Sequence, residues 1–158
     1  MKRKYTTLVL VAGVTILVDQ VTKAIVMRTF SLHETLEVIP GFFALTQIRN
    51  TGGAFGLLAG EATRFRTLFF LVVSCLALGI ILYSYRRLAS TKPWVAVALA
   101  MIFGGALGNL IDRLRFGEVI DFLDFYVGTA HWPAFNIADS AISVGVGILC
   151  LNVVLRKI

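Results

Sequence analysis

Four long apolar stretches divide the chain. Charged residues are absent from residues 5–18, 67–85, 93–111 and 140–155. A transmembrane helix needs about 17–25 mostly apolar residues, so the second and third stretches are long enough alone, and the first and fourth become so once they include Asp19 and Asp139. The pattern predicts four transmembrane helices, at about residues 5–27, 66–86, 93–113 and 137–155.

The segment between the first two helices, residues 28–65, has features of strands instead. Leu36–Ile39 and Phe42–Ile48 are β-prone runs, and Pro40-Gly41 between them is a turn signal. We expect a small outward-facing hairpin or short sheet here. A short interfacial helix is expected to follow within residues 54–62, which are apolar apart from Glu61 near their end.

Composition places the chain among integral membrane proteins. Hydrophobic residues make up 58% and charged residues 15%, whereas soluble domains have about 45–50% and about 25%. The predicted fold is an all-α membrane protein of one domain, residues 1–158. In it a four-transmembrane-helix bundle carries a small extracytoplasmic β-containing platform and the short interfacial helix. Residues 115–132, between the third and fourth helices, are predicted to form a loop.

The net charge of +6 is unevenly distributed. Eight basic residues and no acidic ones fall at the two chain ends and between helices two and three: Lys2, Arg3, Lys4, Arg86, Arg87, Lys92, Arg156 and Lys157. By the positive-inside rule both termini are predicted to be cytoplasmic, and the two carboxylate-bearing loops face outward. Topology and lipid headgroups explain these cations better than nucleic acid, which is not an expected partner.

Asp121 and Asp139 are the most informative polar residues. Each lies beside aromatic residues near the mouth of an apolar segment, within Val119–Phe122 and Phe135–Asp139. A carboxylate beside hydrocarbon is costly, so such a pair indicates a functional site. Partial desolvation can raise the pKa of one carboxyl group while its partner stays ionised, which is what acid/base catalysis needs. Taken alone, Asp139 also fits a helix-terminus carboxylate.

Other polar residues lie near the predicted outer helix ends. Asp19 and Lys23 are spaced i, i+4 and can pair on one face of the first helix, where a structural ion pair explains them equally well. Asn109 and Arg113 have the same spacing and could hydrogen-bond to and balance a carboxylate. The glycine-dense run Asn50–Gly56 can present backbone groups to an extended peptide, or form an ordinary turn.

Five of these blocks, in their order and spacing, resemble the bacterial lipoprotein signal peptidases, the type II signal peptidases. They are Asp19 with Thr22-Lys23, Asn50–Gly56, Gly105–Arg113, Val119–Phe122 and Phe135–Asp139. The resemblance covers nearly the whole chain, from the first helix to the fourth. Any one block would be a weak signal, whereas five in order are highly specific.

The resemblance implies an aspartic endopeptidase of the bacterial inner membrane. Such an enzyme removes the signal peptide from diacylglyceryl-modified prolipoproteins, cleaving just before the lipid-bearing cysteine. The match assigns Asp121 and Asp139 as the catalytic pair, and it requires no metal or other cofactor. It also assigns the supporting or substrate-binding positions, which are Asp19, Lys23, Asn50, Gly52, Asn109, Arg113 and Asn136. The expected partners are the prolipoprotein signal peptide and membrane lipids, and the enzyme is expected to be a monomer.

Alternatives remain open on the residues alone. Composition cannot separate Asp121 from Asp124, and only the family pattern chooses Asp121. His131 fits a headgroup-level polar residue better than a base. A small transporter or channel, with Asp19, Asp121 and Asp139 as a proton or cation path, is the alternative function, although its ionisable groups would cluster at one membrane face. A non-catalytic chaperone for signal helices would, unlike an enzyme, survive the loss of both aspartates.

Overall fold

Four long helices and a small sheet form most of the described chain. The structure is a computed structural model that describes residues 2–52 and 63–155. The helices are α1 (Lys2–Thr29), α2 (Thr63–Arg87), α3 (Pro93–Phe116) and α4 (Ile137–Val154). Each is long and apolar enough to cross a membrane. The four predicted helices are confirmed, with ends within three residues of those predicted. The interfacial helix predicted within residues 54–62 lies outside the described residues.

Local sequence signals set the ends of α3 and α4. Pro93 begins α3, where its missing N–H is not needed. Gly117 ends α3 in the left-handed conformation, with φ 77°, and its N–H donates to the carbonyl oxygen of Arg113 at 3.0 Å. Asn136 caps α4, because its side chain accepts the N–H of Asp139 while the Asp139 side chain accepts the N–H of Asn136. The cap fixes Asp139 in the first turn of α4.

Helix α3 is the centre of the bundle and packs against the three other helices. In α3, 56% of the most apolar window is buried, compared with 11–22% in the other helices. Two glycines allow α1 to approach closely. A Cβ on Gly104 would lie 2.9 Å from the Cα of Ala12, and one on Gly108 would lie 2.7 Å from a carboxylate oxygen of Asp19. This small-residue spacing brings Asp19 directly against α3.

A four-stranded antiparallel sheet follows the end of α1. Its strands, in spatial order, are β1 (Thr35–Ile39), β2 (Phe43–Asn50), β3 (Val119–Val127) and β4 (Ala130–His131). The predicted hairpin is confirmed as β1–β2. The loop predicted for residues 115–132 is wrong, because β3 and β4 occupy most of it. The β-branched and aromatic residues of β3 favour a strand, and pairing with β2 places Ile48 opposite Asp121.

At the other end of the bundle, α1 is tied to the C-terminus of α2. The Lys4 ammonium donates to the carbonyl oxygens of Arg86 at 3.0 Å and Leu88 at 2.9 Å, where a helix favours positive charge. The buried Tyr85 donates its hydroxyl to the carbonyl oxygen of Lys4. The basic residues of the chain start and of the α2–α3 connection therefore lie at the same end.

Candidate active site

A cavity of about 930 Å³ lies between the end of β2, the segment after β4, and the facing parts of α3 and α4. This volume suits a small-molecule or peptide site, for which about 300–1,000 Å³ is typical. Six predicted site residues line it: Asn50, Gly52, Asn109, Arg113, Asp121 and Asp139. The other three, Asp19, Lys23 and Asn136, are buried behind the wall and hydrogen-bonded to it.

Asp121 lies on β3 at the cavity wall, with 2% of its surface exposed. Its two carboxylate oxygens accept hydrogen bonds from the amides of Asn50 at 2.9 Å and Asn136 at 2.7 Å. Burial, followed by the nearby charge of Asp139, raises the pKa of Asp121 to about 7, against the lowering effect of the two amides and of Lys23. A carboxyl group with this pKa can exchange a proton near neutral pH, as acid/base catalysis requires.

Asp139 faces the same cavity from the first turn of α4. One carboxylate oxygen accepts the side-chain amide of Asn109 at 2.8 Å, and the other accepts the backbone N–H of Asn136 at 3.3 Å. The amide of Asn136 also donates to the side-chain oxygen of Asn109 at 3.2 Å. Asp121 and Asp139, hereafter the carboxylate pair, are thus connected through two asparagine side chains.

Behind Asn109 lies a buried ion cluster. Lys23 pairs with Asp19 at 2.9 Å and with Asp112 at 2.7 Å, and the three side chains are at most 1% exposed. The Lys23 ammonium also donates to the side-chain oxygen of Asn109 at 3.0 Å. Gln20 donates to Asp19 at 3.2 Å and to Asp112 at 2.8 Å. The ion pair predicted between Asp19 and Lys23 is present, with a second carboxylate.

Sequence reasoning missed Asp112 and Gln20. The i, i+4 spacing indicates Asn109 and Arg113, and Asp112 between them is not part of that pattern. The signal that could have found Asp112 is its presence as an acidic residue within an apolar helix. Gln20 gives no comparable signal, because a neutral amide near a helix end is common.

Arg113 and Gly52 both line the cavity, and each also has contacts within the protein. The Arg113 guanidinium lies 5.1 Å from the centre of the Phe70 ring on α2 and donates to the carbonyl oxygen of Asn109 at 3.5 Å. It lines the cavity, but these contacts tie it to α2 and to its own helix. The N–H of Gly52 donates to the side-chain oxygen of Asn50 at 3.0 Å. This bond turns the Asn50 amide towards Asp121, so Gly52 contributes through its backbone.

Asp124, which composition could not separate from Asp121, lies elsewhere. It is three positions further along β3, and side chains alternate between the two faces of a strand. Its carboxylate pairs with the His131 ring at 2.9 Å. Asp121 is among the described residues that line the cavity and Asp124 is not. The strand therefore separates the two aspartates that composition left equivalent.

Four helices able to span a membrane and a cavity lined by two carboxylates are the features of a multi-pass membrane protein with a polar pocket. A family model described as signal peptidase (SPase) II matches residues 11–155. The chain belongs to the signal peptidase II family, a family of proteases. The transporter or channel interpretation is therefore not supported.

Relatives and a solved structure agree with this assignment. The lipoprotein signal peptidase of Desulforapulum autotrophicum is 54% identical over 151 residues, which cover 96% of this chain and 93% of that protein. That of Syntrophus aciditrophicus is 49% identical over 157 residues, covering 99% and 98%. A bacterial membrane enzyme solved by the in meso method matches with a TM-score of 0.83 and 37% identity, covering 96% of this chain and 88% of that one.

Proposed function

We propose that this protein is an aspartic endopeptidase that removes the signal peptide from diacylglyceryl-modified prolipoproteins. The cut falls just before the lipid-bearing cysteine. Membership of the signal peptidase II family supports the class of substrate. One observation carries the aspartic chemistry: Asp121 and Asp139 line one cavity and are connected through the amides of Asn109 and Asn136.

The two members of the carboxylate pair have different surroundings, which suggests different roles. Burial raises the pKa of Asp121 to about 7, so this carboxyl group keeps its proton in weakly acidic solution and exchanges it near neutral pH. Asp139 lies at the N-terminus of α4, where the helix dipole favours negative charge. In this proposal Asp121 is the acid and Asp139 is the base.

The reaction begins with a water molecule between the pair. Asp139 removes a proton from this water as its oxygen attacks the scissile carbonyl carbon, while Asp121 donates its proton to the carbonyl oxygen. The tetrahedral intermediate then collapses. The C–N bond breaks, Asp139 passes its proton to the leaving amine, and the hydroxyl that received the Asp121 proton returns it. Both carboxyl groups end in their starting states.

The neighbouring groups orient the pair and balance charge. Asn50, held by the Gly52 N–H, fixes one side of Asp121. Asn109, held by Lys23, fixes Asp139. Arg113 lines the cavity and places a positive charge where negative charge develops during attack.

We further propose that both termini are cytoplasmic and that the cavity opens at the outer face of the inner membrane. Lys4 contacts the carbonyl oxygens of Arg86 and Leu88, so basic residues from two parts of the chain share one end. The positive-inside rule places that end in the cytoplasm. The carboxylate pair then lies near the outer headgroups, where water is available, and the signal helix and acyl chains of the substrate stay in the bilayer.

A cleavage assay tests this function. Purified protein in detergent is mixed with a diacylglyceryl-modified prolipoprotein, and loss of the signal peptide is followed by gel shift. Asp121→Asn and Asp139→Asn are each expected to reduce the rate by about 10²–10⁴-fold. Asp124→Asn, a matched change on the same strand outside the cavity, is expected to cleave normally.

Two outcomes would contradict the proposal. Normal cleavage by Asp121→Asn or Asp139→Asn would show that the reaction does not use the proposed aspartic mechanism. A wild-type protein that binds the prolipoprotein but leaves it intact would favour the chaperone interpretation. Circular dichroism of each variant shows whether a loss of cleavage reflects a loss of fold.

A further inference from the structure

The buried ion cluster reaches the backbone of the strand that carries Asp121. Asp112 Oδ2 pairs with Lys23 at 2.7 Å and also accepts the backbone N–H of Ile120 at 3.3 Å. Ile120 directly precedes Asp121 on β3 and is completely buried. The second oxygen of Asp112 accepts the Gln20 amide at 2.8 Å. The Asp112 carboxylate is held at both oxygens, and it therefore anchors β3 one residue before Asp121.

The same cluster reaches the helix that carries Asp139 in an equivalent way. Asp19 Oδ2 pairs with Lys23 at 2.9 Å, and Asp19 Oδ1 accepts the backbone N–H of Ala138 at 2.9 Å. Ala138 directly precedes Asp139 in the first turn of α4. Asp19 can reach α4 past α3 only because Gly108 has no side chain, since a Cβ there would lie 2.7 Å from Asp19 Oδ2. Asp112 and Asp19 thus each accept the backbone N–H of the residue that precedes one member of the carboxylate pair.

Lys23 joins these two contacts and adds a third. Its ammonium lies within 3.0 Å of Asp19, Asp112 and the side-chain oxygen of Asn109. Because an ammonium only donates, it requires Asn109 to present its oxygen on this side. The Asn109 amide nitrogen must then face Asp139, to which it donates at 2.8 Å. One side chain therefore fixes the orientation of this amide.

We propose that Asp112, Lys23 and Asp19 form a positioning unit that sets the relative placement of the carboxylate pair. Asp112 positions β3, Asp19 positions α4, and Lys23 holds both and orients Asn109. None of the three lines the cavity, so they are positioning residues and not catalytic ones. The inference rests on the proposed peptidase function.

The geometry is tested with two substitutions at one position. Asp112→Asn keeps an oxygen that can accept the Ile120 N–H, whereas Asp112→Ala removes it. We expect Asp112→Ala to lower kcat about 100-fold, because a displacement of about 1 Å in an active site has effects of that size. KM is expected to stay within about threefold, since no residue that lines the cavity is replaced. Asp112→Asn is expected to retain more of kcat than Asp112→Ala.

The charge is tested with the pH profile of kcat. The charged groups that act on Asp121 are Asp139 on α4, Lys23 on α1 and Arg113 on α3, and Lys23 is itself paired with Asp19 and Asp112. The positive charge of Lys23 lowers the pKa of Asp121, so Lys23→Gln is expected to move the descending limb to higher pH. Removing the negative charge in Asp112→Asn is expected to move it to lower pH.

If the descending limb moves in opposite directions in Lys23→Gln and Asp112→Asn, the two residues do more than support the fold. A general loss of stability would lower the amount of active enzyme without moving the limb in two directions. Asp124→Asn, a carboxylate-to-amide change outside the cavity, is the control and is expected to leave kcat and the limb unchanged. If Asp112→Ala does not fold in detergent, Asp112→Asn and Lys23→Gln still give the pH test.

The results separate this inference from the proposed function. If wild type fails to cleave, or Asp121→Asn cleaves normally, the peptidase proposal itself is wrong. If wild type cleaves and Asp121→Asn does not, normal kcat in Asp112→Ala overturns the positioning unit. Shifts of the limb in the same direction for Lys23→Gln and Asp112→Asn also overturn it.

Discussion

Two groups of charged and polar side chains contact β3 at different points along the strand, one at Ile120 and the other at Asp124 and Tyr126. The inner cluster consists of Asp19, Lys23 and Asp112, with ion pairs of 2.7 and 2.9 Å. The outer cluster consists of Asp124, His131, Tyr126 and Glu37. There Asp124 pairs with His131 at 2.9 Å, His131 stacks on Tyr126, and the Tyr126 hydroxyl donates to Glu37 at 2.9 Å.

The two clusters differ in burial and not in distance. Side chains of the inner cluster are at most 1% exposed, whereas in the outer pair His131 is 52% and Asp124 is 13% exposed. An exposed pair is screened by water and salt and contributes about 0–1 kcal/mol. A buried charge that loses its partner has no such screening, so removing one partner typically costs about 3–5 kcal/mol. Contact length alone therefore does not show which pair the molecule depends on.

The largest expected effect follows from removing Lys23. Lys23→Met leaves Asp19 and Asp112 facing each other without a cation, and we expect the free energy of unfolding to fall by about 3–5 kcal/mol. The matched change in the outer cluster, His131→Gln, is expected to lower it by at most about 1 kcal/mol. Both are measured by unfolding in mixed micelles. Equal losses would mean that burial does not distinguish the two clusters.

A smaller effect is expected from filling the space that the inner cluster needs. In Gly108→Ala the new Cβ would lie 2.7 Å from an Asp19 oxygen, and overpacking of this kind costs about 1–3 kcal/mol.

Gly147→Ala on α4 is the matched control. A Cβ at Gly147 has nothing within 4 Å, and alanine is favoured over glycine inside a helix by about 0.5–1 kcal/mol. The two substitutions should therefore change the melting temperature in opposite directions. A rise in both would show that Asp19 can move away from α3.

The transmembrane helices and the first hairpin are predictable from the sequence, whereas β3 is not. Transmembrane helices were predictable because each must satisfy its backbone within itself and bury apolar length in the bilayer. The β1–β2 hairpin was predictable from its turn signal at Pro40-Gly41. Strand β3 was not predicted, because residues 115–132 connect two predicted helices and a loop was therefore expected there. Its pairing with β2 joins residues that are 69 (Asn50 and Val119) to 82 (Phe43 and Phe125) positions apart, which no local pattern reveals.

The site was predictable in its residues but not in its connections. The family resemblance named nine positions, and the structure brings them to one cavity and the wall behind it. The bonds that link Asp112 to Ile120 and Asp19 to Ala138 depend on backbone N–H groups, which every residue except proline possesses. Side-chain identity therefore gives no sign of them, and only the packing of α1, α3 and β3 makes them visible.

Stability and activity are both expected to depend on pH through Asp121. The pKa of Asp121 is raised to about 7, above its unfolded value of about 3.9. Its contribution to stability is thus complete below pH of about 3.9 and is lost as pH rises through about 7. Because the proposed acid must be protonated, kcat/KM, which reports the pKa values of the free enzyme, is expected to fall about tenfold per pH unit above that value.

The control for this profile lies in the outer cluster. His131 is not among the described residues that line the cavity, so its replacement leaves the surroundings of Asp121 unchanged. We expect His131→Gln to keep the limb. Asn50→Ala is expected to move it to higher pH, because the Asn50 amide stabilises the ionised form of Asp121. Loss of the limb in His131→Gln would show that Asp121 does not set it.

The smallest effect is expected from Asp124→Asn. The amide oxygen can still accept a hydrogen bond from His131, and the lost charge is partly screened, so stability should change by less than about 1 kcal/mol. High salt should reduce even this difference, because salt weakens exposed pairs more than buried ones. The melting temperatures of wild type and variant at low and high salt measure it. A large, salt-independent loss would place Asp124 with the inner cluster and remove the distinction between the two clusters.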